Sequence, residues 1–346
     1  MANPLTDWRV DPGQITTTGT DLRRPECVLA ERNGTLWAAD LRGGVLGIAA
    51  DGSQRVVRPA AGGGPFAPEP FVPGIIPDGT EGLSLPNGLA FDVDGSFLVA
   101  NFGTKVLEHL TRDGTHRVVL DQLDGQSLGQ TNFVLRDRSG RLWFTVTTRQ
   151  DPWTQVGRAR IADGYVGLID ASGARIVADH FAGTNEVRLD PNEEWLYVVE
   201  TSGSHISRLR VQSDGSLTDR QVYGPEDLGG RPDGMAFDAY GNLWITLVSH
   251  DRLVALTPEG DVLPLWDDGD PEAKASRDRA ERQGSVTPEL VAAARGRLAP
   301  RMASVTFGGE DLSTVYVGSL LGTTLPTFRS PVPGQPMVHW NASWST

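Results

Sequence analysis

A chain of 346 residues can bury a large core, and its 41 glycines, 23 prolines and 39% hydrophobic content suit a turn-rich protein of many short strands. A formal net charge of −13 excludes the cationic footprint that nucleic acid or an anionic membrane surface demands, yet it is compatible with a bound divalent cation. No apolar run approaches a membrane span, the opening MANPLTDWRV lacks the apolar core of a signal peptide, and the single Cys27 has no partner for an internal disulfide, so a soluble protein of the reducing cytoplasm is expected.

Residues 1–20 carry no repeat signal apart from Trp8 and a β-prone stretch at 15–18. Beyond them one unit recurs: a short polar residue, an apolar strand, a turn rich in Gly, Asn and Asp, and a second strand anchored by a pair of large apolar residues. The anchors are Leu36-Trp37, Phe97-Leu98, Leu142-Trp143, Leu196-Tyr197, Leu243-Trp244 and Val315-Tyr316, six in all. Counting back ten residues from Leu36, Phe97, Leu142 and Leu243 reaches Glu26, Asn87, Asn132 and Asp233. Counting back eleven from Leu196 and Val315, where the turns are one residue longer, reaches Asn185 and Ser304.

After each anchor strand, two further strands follow and turn at Asp51-Gly52, Asp113-Gly114, Ser172-Gly173, Asp214-Gly215 or Glu259-Gly260. Four antiparallel strands repeated six times predict an all-β, six-bladed β-propeller spanning 1–346 as a single domain. A β-sandwich is the alternative, but it requires no polar residue at one fixed offset in every hairpin. Either the 15–18 stretch or the segment 336–340 could supply the strand that closes the ring. Two insertions interrupt the rhythm. Residues 59–85 are rich in Gly and Pro and read as a loop, whereas 266–302 is highly charged and then offers a Thr287-capped short helix. Both join the outermost strand of one repeat to the innermost strand of the next, so both are expected over the mouth as lids.

In a propeller the first strand of each blade lines the axis, which gathers Glu26, Asn87, Asn132, Asn185, Asp233 and Ser304 into one ring. Carboxylate and carboxamide oxygens, with no His or Cys at any of the six positions, are hard ligands that suit Ca2+, Mg2+ or Mn2+ better than a tetrahedral zinc set. Asn and Asp are also ordinary turn residues before strands, although five in register exceed what turns need. The returning strands put Phe102, Arg149 and His250 on the rim. There His250 could shuttle protons and Arg149 could orient a carbonyl or carboxylate.

These residues resemble the gluconolactonase and senescence-marker-protein (regucalcin-like) family of six-bladed propellers. The resemblance runs over about residues 20–325, through Pro25-Glu26, LPNGLAFDVDGSFLVAN, NFVLRDRSGRLWFT, TNEVRLDPNEEWLYVVET and RPDGMAFDAYGNLWIT. It implies one catalytic divalent cation, Ca2+ ahead of Mg2+, Mn2+ or Zn2+, held by Glu26, Asn132, Asn185 and Asp233. Asn132 and Asn87 would also contact a small-molecule substrate. The implied activity is lactone hydrolysis, with water activated by the metal or by Asp233. The chain departs from the family pattern at Asn132-Phe133 and Asn185-Glu186, and Phe102, Phe133 and Trp153 as substrate contacts point to a ligand less polar than a sugar lactone. A cyclase, lyase or isomerase on the same scaffold, and a non-catalytic binding propeller, remain the other readings.

Overall fold

Each of the six anchor hairpins grows into a four-stranded antiparallel sheet in the computed structural model, which describes residues 2–59, 82–151, 153 and 161–344. The innermost strands are Val28–Ala30, Pro86–Phe91, Thr131–Arg136, Thr184–Leu189, Pro232–Phe237 and Met302–Gly308. Each packs against the innermost strand of the next blade, and the last packs against the first, so the sheets form a closed six-bladed propeller.

Local chemistry explains why these hairpins recur. The anchor tryptophans are fully buried, and a buried indole N–H needs an acceptor. It finds one six residues earlier, on the carboxylate that begins the turn: Trp37 donates to Glu31 (2.5 Å), Trp143 to Asp137 (2.9 Å) and Trp244 to Asp238 (3.0 Å). Asp238 also accepts from the backbone N–H groups of Tyr240, Gly241 and Asn242, so one side chain shapes the turn and fixes the ring above it.

The N-terminal segment closes the ring. Thr16–Thr18 pairs antiparallel with Leu325–Arg329 as the outermost strand of blade six, in the register Thr16 to Thr327 and Thr18 to Leu325. The 336–340 segment goes elsewhere. After a bridge between Asp238 and Gly334, the C-terminal tail crosses the face where the innermost strands end, with Gln335 N–H on Phe237 O (2.8 Å), His339 on Ala30 O (2.9 Å) and Trp344 against Phe91 (4.7 Å).

Of the two insertions, residues 60–81 lie outside the described residues. The second holds two helices, α1 (Pro271–Arg282) and α2 (Pro288–Ala293). The Thr287 cap of α2 is as expected, whereas α1 forms in the charged stretch, where no element is expected from the sequence. Its residues are good helix formers, and Lys274 and Arg277 lie on one face, three residues apart. They tie α1 to blade five, Lys274 Nζ donating to His250 O (2.6 Å) and Asp251 O (3.0 Å), and Arg277 to Ser249 O.

Candidate functional site

Five blades break their ladder between the first two strands where the ring residues stand: between Pro86 and Leu89, Thr131 and Phe133, Thr184 and Val187, Pro232 and Met235, and Met302 and Ser304. A bulge re-aims a side chain and frees a backbone N–H. In blades three and five a threonine of the second strand satisfies that N–H. Phe133 N–H donates to Thr145 Oγ1 (3.1 Å), which donates on to Asn185 O of blade four (2.7 Å). Gly234 N–H donates to Thr246 Oγ1 (2.9 Å), which reaches Ala303 O of blade six (2.9 Å). The bulge that aims the ring side chain therefore also binds its blade to the next one. Two glycines permit this approach. A Cβ on Gly88 would stand 2.6 Å from Phe133 Cα, and one on Gly234 would stand 2.4 Å from Ala303 O.

Glu26, Asn87, Asn132, Asn185, Asp233 and Ser304 are all buried at the start of these strands. Asn132 and Asn185 donate their amide nitrogens to Thr147 Oγ1 and Thr201 Oγ1 of the second strands (both 3.1 Å). Within the ring, Asn132 Oδ1, Asn185 Oδ1, Glu26 Oε2 and Ser304 Oγ are buried without a hydrogen-bond partner among the described residues, as are a few atoms elsewhere, Thr104 Oγ1 and Gln130 Oε1 among them. Native proteins rarely leave one such oxygen unmatched. Here one carboxylate and two carboxamide oxygens on three blades share the condition, which a hard divalent cation would relieve, so the donor set fits such an ion. Glu26 Oε1, by contrast, accepts from Asn87 Nδ2 (2.9 Å).

The electrostatics match this arrangement. Burial, then the neighbouring Glu186, push the Asp233 carboxyl up to about 8, against the charge of Arg24 and a hydrogen bond from Asn185. Burial also raises Glu26 well above the usual carboxylate range, with Arg24 opposing and Asp233 and Glu186 adding to it. Three buried carboxylates thus face the guanidiniums of Arg24 and Arg188, the latter paired with Glu186 at 2.9 Å. Sequence reasoning misses Arg24, Arg188, Thr145 and Thr246, and finds Glu186 only as a departure from the family pattern beside Asn185. The recurring Leu-Trp-Phe/Ile-Thr of blades three and five was the available signal for the two threonines.

The remaining predicted residues divide. Phe102 and Trp153 meet edge to face at 5.2 Å and pack with Leu41, Leu83 and Leu85, which leads directly into Pro86-Asn87, so an apolar cluster stands at the mouth end of blades one and two. Phe133 lies in the core, stacked under Arg188 at 4.6 Å. Arg149 is exposed and stacks on Tyr165 at 4.6 Å. His250 is buried beneath α1, with Ser249 Oγ at 2.8 Å from Nδ1 and Asp278 at 3.7 Å from Nε2. A separate group, Asp92, Asp94 and His109, brings its ligand atoms within 4.8 Å at the opposite end of blade two, where Ser96 Oγ is bonded to both Asp94 and His109.

Comparison with known proteins places the fold. The SMP-30/gluconolactonase/LRE-like region matches residues 25–269. A 6-deoxy-6-sulfogluconolactonase of Pseudomonas putida is 28% identical over 180 residues, 49% of this chain and 52% of that protein. The chain spans about half the length of the curated relatives it matches. Among solved structures, a Xanthomonas campestris gluconolactonase superposes with a TM-score of 0.63 at 20% identity, covering 97% of this chain and 99% of that one. A calcium-binding protein, regucalcin, from Agrobacterium tumefaciens superposes with a TM-score of 0.60 at 15% identity, covering 93% and 92%. No helix of the described residues is long and apolar enough to cross a membrane.

Proposed function

Because the chain belongs to the SMP-30/gluconolactonase/LRE-like family, we propose that it is a metal-dependent lactonase that opens a cyclic ester, with Ca2+ held by Glu26, Asn132, Asn185 and Asp233. The observation that carries this reading is the set of three buried, unpartnered oxygens, Glu26 Oε2, Asn132 Oδ1 and Asn185 Oδ1, beside the buried Asp233. The lactonase and calcium-binding descriptions of similar proteins support it. When bound, the cation supplies Lewis-acid polarisation of the lactone carbonyl.

The chain's own groups do the rest. Asp233 in its ionised form takes a proton from the attacking water and delivers it to the ring oxygen as the acyl C–O bond breaks; burial and the neighbouring Glu186, which push its carboxyl up to about 8, make that carboxylate a stronger base than an exposed one. Asn87 holds one oxygen of Glu26 (2.9 Å) so that the other stays free. The proton transfers fall to Asp233 alone, since His250 is engaged by Ser249 and faces Asp278, while Arg149 is stacked on Tyr165.

The apolar cluster of Leu41, Leu83, Leu85, Phe102 and Trp153 supports a lactone carrying an apolar arm over a polyhydroxylated sugar lactone. A panel of alkyl-, aryl- and sugar lactones, assayed before and after EDTA and again with Ca2+ restored, tests this. The expected result is EDTA-sensitive hydrolysis that is fastest for the apolar lactones. Absence of EDTA-sensitive turnover on every lactone would remove the lactonase reading, and preference for sugar lactones would remove the apolar arm.

A further inference from the structure

We propose that Arg24 is a positioning residue of the axial site, acting through Asn87. It aims the Glu26 carboxylate and keeps Asn87 itself out of the cation's coordination; this rests on the metal reading above. Arg24 stands two residues before Glu26, outside the ring register, with φ +54, a conformation that a non-glycine residue adopts under constraint. Glu26 N–H closes the turn onto Arg24 O at 2.7 Å. From there the side chain spans to blade two, where Nη1 donates to Pro86 O (3.1 Å) and Nη2 to Asn87 Oδ1 (2.6 Å).

That last bond decides which way Asn87 faces. A carboxamide has one accepting and one donating end of nearly equal shape. With the oxygen held by a guanidinium, the nitrogen must face inward, and it donates both to Glu26 Oε1 (2.9 Å) and to Asn132 O (3.1 Å). Asn132 and Asn185 differ: their nitrogens reach Thr147 Oγ1 and Thr201 Oγ1 on the second strands, and their oxygens are unpartnered. Of the three ring asparagines, the one bonded to Arg24 is thus the one with no oxygen left to offer. Glu26 gains a fixed partner on one oxygen and keeps the other for the cation. A lysine could not do the same, because a single ammonium lacks the planar fork that reaches Pro86 O and Asn87 Oδ1 together.

The test is isothermal titration of Ca2+ alone into Arg24→Met, Arg24→Lys, Asn87→Ala and the Arg24→Met/Asn87→Ala double variant. Removal of an outer partner of a metal ligand weakens binding by about 10- to 100-fold. That loss is expected for Arg24→Met and Asn87→Ala, with little recovery in Arg24→Lys and no further loss in the double variant. Unchanged or tighter Ca2+ binding by Arg24→Met, or independent losses that multiply in the double variant, would overturn the relay. Should the unsubstituted protein bind no Ca2+, the metal reading fails by itself, and the relay is then judged from a metal-free crystal structure of Arg24→Met. A turned Asn87 amide with Glu26 displaced by roughly 1 Å, a shift large enough to disable a site, supports it, and both side chains unmoved overturn it.

Discussion

The C-terminal tail carries a pH-sensitive joint at His339, and its size can be worked out. The imidazole is buried, its Nε2 lies 2.9 Å from Ala30 O, and Phe91 meets its ring edge-on at 4.7 Å. Burial pushes its pKa from the ordinary 6.5 down to about 4; the Ala30 bond acts in the opposite sense, and the charges of Arg136 and Arg188 add to the depression. The folded state therefore prefers neutral histidine. Stability from this group is complete above pH 6.5 and is lost as pH falls through the folded value, so the window runs from about 6.5 to 4. The full difference is about 3 kcal/mol, of which about 2 kcal/mol has gone by pH 5. His339→Gln keeps a donor for Ala30 O and does not titrate. Urea unfolding of both proteins at pH 8 and pH 5 should show the gap between them move by about 2 kcal/mol in the variant's favour at the lower pH, since all other groups cancel. A gap that stays constant would refute the assignment, because neither the burial nor the neighbouring arginines would then be acting on this ring.

Three further outcomes follow from the axial geometry. Asp233→Asn should lower kcat on an accepted lactone by at least about 10²-fold, the low end of what a general base contributes, with the fold intact by circular dichroism. Gly234→Ala drives a methyl into Ala303 O (2.4 Å) and Ser304 Cα (2.6 Å), both backbone, and should reduce stability by about 1–3 kcal/mol in urea unfolding. Thr246→Val leaves Gly234 N–H and Ala303 O without their shared hydroxyl, with a loss of about 1–3 kcal/mol, and Thr246→Ser should restore most of it.

The propeller was legible because every blade repeats one solved problem: a large apolar anchor at a fixed distance from its turn. Trp37, Trp143 and Trp244, each with its carboxylate six residues earlier, mark that distance in the chain. The axial ring was legible for the same reason, since a fixed offset in sequence becomes a fixed height in space. What lay outside the register stayed hidden. Arg24 reaches its neighbour through a left-handed turn that no periodicity announces, and Glu186 follows a ring residue in a bulge where strand alternation fails. Phe133 looked like a cavity wall because it adjoins Asn132, but its ring turns into the core under Arg188. The closing strand could not be chosen in advance, because two short extended segments competed and only their three-dimensional reach separates them. Helix α1 was obscured by its charge, which is spent on anchoring carbonyls of blade five.

The pairing of Thr16–Thr18 with Leu325–Arg329 makes the molecule a circle and not a row. An open stack of repeats has two end units that need special caps and can fray inward from either side. Here the first and sixth sheets are neighbours, so every unit is flanked twice. Damage to one wedge is then felt in both directions around the circumference, and a short run of three threonines decides whether the arc is complete.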